Sequence, residues 1–535
     1  MNRSMNRFGT KGVVVGVIGL LAGCAGEQIA IPTGYFPPPV GSSDAAASAV
    51  LNATPLPPRS PMEKPAPPVP DGKQTPFDLS PLIPGAQVPP IQAPRFTKDT
   101  PPAERDATIR KLYPEVAPAV RSGPKSESEA TLYTLDELQI AALTNNPRIR
   151  QALADTNASY GQVIQAGLHP NPTVGYQVDQ WQPGLKIPPG STFNGFGQQG
   201  GFINQLIKTA GKLTLARKVA GYDYINALVA VRKAQFDVTT QVRSAYFTAL
   251  VAQQSLDVNA ALANMADEVY RLQLKRVAAG LVAGYEPFQF HAQAVQARNG
   301  VAQAEATYKA AWKQLAAAIG QPNLPIATLA GRADTPAPIF DPEAVKARLL
   351  EQHTDLLTAR NQIVQAQTNL TLQQRLPIPD IAANNYHQYD NAAQTYQFGL
   401  QFGVQLPISD RNQGNIRTAR AKVSSAGENL RSAENDLLSR LAEAFGRYDA
   451  NLRVAKNYRE QILPDLTQAY RGIVRQYQAD PDKAGFYDIV VAQQNLAQAL
   501  QAYLSAIDAQ WKAVVDLAAL GQLEDLYQQP SPAMK

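Results

Sequence analysis

Between Gly221 and Gly280 the chain carries neither Gly nor Pro. As one helix, that stretch would run about 87 Å at the usual rise of 1.5 Å per residue. Within it Val251, Val258, Leu262, Met265, Val269 and Leu272 recur at steps of three, four and seven, a heptad seam. The turn Gly280–Pro287 then reverses the chain, and Pro287 suits the first turn of a returning helix. A helical hairpin on the order of 90–100 Å long is therefore expected.

The hairpin belongs to an internal repeat. Asn146-Pro147-Arg148-Ile149 opens a stretch that reaches Pro170-Asn171-Pro172, and His353-Thr354-Asp355-Leu356 opens one that reaches Pro377-Ile378-Pro379. Gly211 pairs with Gly414, and Gly320-Gln321 with Gly521-Gln522. The spacing predicts two copies, 131–321 and 340–522, joined by a linker 322–339 and followed by a tail 523–535. Each copy reads helix, two strands, long helix, helix. Thr134 and Glu137 have capping-box spacing at the first helix, and the Pro-x-Pro pair stops it. In copy two the second hairpin turns at Ala479–Asp482, with Pro464 as a kink or break.

The strands carry a membrane signature. From Tyr396 to Leu406 every even position is apolar and every odd one is Gln or Gly. This length is close to the 9–11 residues of a tilted transmembrane strand. Tyr396, Phe398, Leu400, Phe402 and Val404 form the face expected toward lipid. The insert Trp181–Gly201 reads as an exposed loop between the strands of copy one.

Ahead of the repeats lies an address. Arg3, Arg7 and Lys11 precede a short apolar run, Gly12–Leu21, the layout of a secretory signal over 1–23. The run ends at Leu21-Ala22-Gly23-Cys24, which resembles a lipobox, so Cys24 is the expected lipidated residue. Residues 24–130 read as a Pro-rich, disordered tether.

Composition removes the competing classes. One Cys allows no intramolecular disulfide, and four scattered His make no metal motif, so no metal site is expected. No Lys/Arg run interleaves with aromatics, which argues against nucleic acid as a partner. A GxxxxGK[ST] phosphate loop is absent from the sequence, and no carboxylate pair is fixed near a nucleophile. The chain is read as no enzyme, with no cofactor.

Four strands per chain leave open edges, which cannot face lipid. Three copies closing together would give a twelve-stranded barrel. Leu135-Asp136-Glu137, Asn145-Asn146-Pro147, Leu376-Pro377-Ile378-Pro379-Asp380 and above all Gln405–Ile416 resemble the TolC-type outer-membrane efflux family, in its heavy-metal-efflux-like branch. Gly211-Lys212 is similar to that family's copy-one counterpart. The resemblance implies a mainly α fold with transmembrane β: long helical hairpins form a periplasmic α-barrel, and four strands per chain join a trimeric outer-membrane β-barrel. It implies an outer-membrane, lipid-anchored channel reaching into the periplasm. It further implies a homotrimer, a periplasmic adaptor and an inner-membrane pump as partners, exporting small molecules or metal ions. A type I secretion conduit and a lipid-anchored coiled-coil spacer without a pore stay open as alternatives. By the same resemblance, Gly280, Leu281 and Val282 form an adaptor contact, and Asp488 with Glu286 a gate at the hairpin tip. The alternative for both carboxylates is a simple helix-start role.

Overall fold

The computed structural model describes residues 100–115, 132–179, 197–391, 393–480 and 485–527, with a few single positions between 83 and 96. Cys24, the signal segment, most of the Trp181–Gly201 insert and the Pro481-Asp482 part of the second turn lie outside the described residues.

Each copy opens with two short helices, not one. They are α2 (Leu135–Asn145) and α3 (Pro147–Gly167) in copy one, and α6 (Pro342–Gln352) and α7 (Thr354–Arg375) in copy two. Pro147 explains the first break: it holds Asn146 in extended backbone and takes the first position of the next helix. Asn146 and His353 are the equivalent N-caps, accepting from Arg148 N and Asp355 N. The capping box at Thr134 is present, with Thr134 and Glu137 exchanging both bonds.

The strands β2 (Thr173–Asp179), β3 (Gln198–Ile207), β5 (Ile381–Asp390) and β6 (Thr395–Val404) form one antiparallel sheet in the order β2-β3-β5-β6. Gly200 and Gly201, expected in the loop, are strand residues paired with Gln388 and His387. A parallel pair, β1 (Leu132–Tyr133) with β4 (Thr328–Leu329), ties the linker to the start of copy one.

The long helix α4 (Lys212–Ala278) has 67 residues, about 100 Å, and α5 (Glu286–Ile319) returns along it. In copy two, α8 (Gln413–Asn457), a π turn (Tyr458–Ile462) and α9 (Leu463–Ala479) make the outward run, and α10 (Phe486–Leu520) the return. The residue before each long helix is left-handed: Gly211 at φ 69° and Asn412 at φ 59°. Structurally, Gly211 therefore matches Asn412 and not Gly414, because Asn also tolerates that conformation.

Three other expectations change. The seam Val258, Leu262, Met265 and Val269 is only half-buried and Leu272 is exposed, while Ala263, Asp267, Tyr270, Gln273 and Val277 form the buried stripe. The Asp267–Arg298 ion pair (2.8 Å) joins that stripe to α5. The span 24–130 is not all tether, since α1 (Pro102–Leu112) is helical and packs on the hairpin. The tail is not all tail either: Leu523 and Leu526 are buried in the main core, and Arg243 donates to the carbonyls of Leu523 and Glu524. That core sits where the two copies meet. Phe247 stacks on Trp511 with ring centroids 3.9 Å apart, and Trp312 and Leu315 are fully buried.

Candidate functional site: sheet and hairpin tip

Strand alternation sorts the sheet into two faces. One face shows Val174, Tyr176 and Val178 of β2, Ile203 and Ile207 of β3, and Tyr396, Phe398, Leu400, Phe402 and Val404 of β6. All of these are exposed, Tyr396 at 85%. Asn385 and His387 of β5 interrupt that face. The other face is polar and knit by amides. Gln388 Nε2 donates to Asp179 at 2.9 Å, and Gln198 and Gln397 donate to Asp390 at 3.1 and 3.0 Å. On this face Phe202 lies over Gly175 and Tyr386 over Gly399, each ring filling the space a Cβ would need. Both hairpins thus use an aromatic across from a Gly, a device that supports sheet curvature. The outer edges of β2 and β6 have no strand partner among the described residues.

Where the sheet meets the long helices, two sequence motifs touch. Lys212 Nζ lies 2.7 Å from Asp380 Oδ1 and donates to Ile378 O, and Lys208 Nζ lies 2.9 Å from Asp380 Oδ2. Thr209 N donates to the same carboxylate at 3.1 Å. Burial pushes the Asp380 pKa up, but the hydrogen bonds from Lys212, Lys208 and Thr209 outweigh it and hold the carboxyl well below the usual range. The sequence singled out Gly211-Lys212 and Pro377-Ile378-Pro379-Asp380 separately. Their contact is long-range, and no local spacing shows it.

At the far end, Gly280 closes α4. Its φ is 71°, Gly280 N donates to Val277 O, and Leu281 N donates to Arg276 O. This is a Schellman stop, which a left-handed Gly serves best. Leu281 is 71% exposed, whereas Val282 is half-buried against the segment carrying α1.

The two tip carboxylates sit in equivalent places. Glu286 accepts from Ala283 N at 3.2 Å and Asp488 from Gly485 N at 2.8 Å, each three residues back at the start of its own helix. Glu286 also accepts from Gln273 (2.6 Å) and from Tyr487 OH (3.4 Å), which joins the two hairpins. Burial and the Glu286 carboxylate raise the Tyr487 phenol. The Arg276 guanidinium stands 4.7 Å over the Phe486 ring, and Tyr270, Phe290 and Phe486 share one apolar cluster. Sequence reasoning found the two carboxylates but missed Gln273, Arg276 and Tyr487. Gln273 is held by Glu286 of the returning helix, a contact that no local spacing shows.

Comparison with known proteins agrees with this geometry. Residues 139–321 match the family model "Outer membrane efflux protein". The cobalt-zinc-cadmium resistance protein CzcC of Cupriavidus metallidurans is 22% identical over 384 residues, covering 72% of this chain and 88% of that protein. The outer membrane protein VceC of Vibrio cholerae superposes with a TM-score of 0.58 at 18% identity, over 72% of this chain and 96% of its own. The open-state MtrE outer membrane channel of Neisseria gonorrhoeae gives 0.59 at 18% identity, over 74% and 91%. Residues 139–321 thus match the outer membrane efflux family, and the chain as a whole shares its fold with solved outer-membrane channels.

Proposed function

We propose that three copies of this chain form the passive outer-membrane channel of a tripartite efflux system. The observation that carries this is the four-stranded sheet with one apolar face and two edges that are open among the described residues, set at the end of helices about 100 Å long. Open edges in lipid are unaffordable, so neighbouring copies supply the missing strand partners. Leu153, Tyr160 and Ile164 form an exposed apolar stripe at helical spacing along α3, ready for the same neighbours. The polar face with Asp179 and Asp390 then lines the lumen. Cys24 carries the lipid anchor. Gly280, Leu281 and Val282 meet a periplasmic adaptor, and an inner-membrane pump supplies the energy. Asp488 and Glu286, repeated three times around the tip, bias passage toward cations. Likeness to CzcC favours divalent metal ions as cargo over a secreted polypeptide.

The test is purification of the full chain in detergent, followed by mass determination and planar-bilayer recording. The expected result is a trimer that opens cation-preferring channels. A monomer without conductance would return the molecule to the coiled-coil spacer reading.

A further inference from the structure

The first hairpin's turn is already occupied by the chain's own N-terminal segment. Ile109 and Tyr113 are buried against Val277, and Phe96, Leu112, Leu274, Val282 and Phe288 pack around them. Three hydrogen bonds fix the contact. Tyr113 OH donates to Gly284 O at 2.8 Å, Tyr270 OH to Pro114 O at 2.9 Å, and Arg105 Nη1 to Ala278 O at 3.3 Å. The bonds to Ala278 and Gly284 satisfy carbonyls at the helix end and in the turn itself, groups that otherwise need water or a partner.

We propose that residues 100–115 are a removable cap on this turn, an intramolecular occupant that the docking adaptor must displace. The idea rests on the efflux reading above. The segment covers Val282, one of the three residues expected at the adaptor contact, and leaves Leu281 and Tyr285 exposed beside it. Its outward residues, Glu104, Asp106, Arg110 and Lys111, are exposed and charged, so the cap replaces part of an apolar tip with a polar surface. The cap is built for release. An 11-residue helix is too short to stand alone in water, and the N-cap of α1 is Pro101, which offers no side-chain cap bond. It is a helix because it is docked.

The full chain tests this in two arms. Ile109→Cys with Val277→Cys should cross-link on oxidation, and in the source bacterium it should lower zinc tolerance to that of a strain lacking the chain. Either single-Cys variant should keep wild-type tolerance. In the second arm, Ile109→Asp should speed hydrogen exchange of the 277–288 amides about tenfold in the purified trimer, with tolerance kept. A cross-linked variant that protects cells as well as the single-Cys variants overturns the cap, as does unchanged exchange in Ile109→Asp. If the wild type itself confers no zinc tolerance, the cargo reading has failed, and the exchange arm alone decides the cap.

Discussion

Replacing Asp380 by Ala should loosen the junction between sheet and helices. The carboxylate receives two ammonium groups and one backbone N–H, and Lys212, its closer partner, has a side chain only 7% exposed. In the variant, Lys212 Nζ keeps only Ile378 O. Breaking a buried pair by removing one partner costs about 3–5 kcal/mol. Asp380 is itself 17% exposed, so the lower figure of about 3 kcal/mol applies. That corresponds to about a hundredfold in an opening equilibrium. Hydrogen exchange at the Leu215 amide, which donates to Gly211 O in the first turn of α4, should therefore accelerate about a hundredfold. Asp380→Asn with Lys212→Met should recover most of the loss, because no buried charge is left unpaired. The pH dependence has a definite sign. The folded-state pKa is depressed, so this stabilisation is complete above the ordinary carboxylate value of about 3.9 and fades as pH falls below it. An acceleration of less than about threefold at neutral pH would refute the clamp.

His353 caps α7 through a ring nitrogen that must be unprotonated to accept from Asp355 N. Burial lowers its pKa against the pull of Asp355, with Lys233 and Arg440 adding to the lowering. Stability from this cap is thus complete above about pH 6.5 and declines as pH falls through that value. In unfolding curves from pH 5 to 8, His353→Asn should flatten the dependence, as Asn146 is the cap in copy one, and His353→Ala should cost about 1 kcal/mol at pH 8 and less toward pH 5. Leu400→Arg should cost about 2–4 kcal/mol and reduce the trimer recovered from membranes, while Gln401→Arg on the opposite face is tolerated. Glu286→Gln with Asp488→Asn should lower cation preference in bilayers without loss of trimer; unchanged reversal potentials would leave both carboxylates as helix-start residues.

The long helices were legible because absence is a strong signal: no Gly or Pro interrupts 222–279. The strand from Tyr396 was legible because its alternation is unbroken. The partner strands were harder, since Gly200, Gly201, Asn385 and His387 break the pattern. The buried stripe of α4 escaped because hydrophobicity does not mark it. Asp267 and Gln273 are buried there by specific partners, Arg298 and Glu286, contributed by another helix. The α1 segment escaped for a different reason. Its Pro-rich surroundings argue for extended chain, and only tertiary contact with the hairpin makes residues 102–112 helical.

The two copies have diverged along their helical hairpins. In copy one, α4 runs unbroken to its tip, and the tip half of the hairpin is held by the Asp267–Arg298 pair and by α1. In copy two, Pro464 cannot donate to the carbonyl of Glu460 four residues back, and the ladder shifts so that Leu463 N bonds Tyr458 O in a π turn. Beyond that turn α9 has no fully buried residue. Leu463, Leu466, Tyr470, Ile473, Val474 and Tyr477 are only half-buried, so a single stripe holds it. Few buried contacts mean a low free energy of local opening. Any relative movement of the two hairpins therefore falls to the second, with the π turn as its pivot. The Tyr487–Glu286 hydrogen bond and the Arg276–Phe486 stack tie the freer hairpin to the rigid one at their tips.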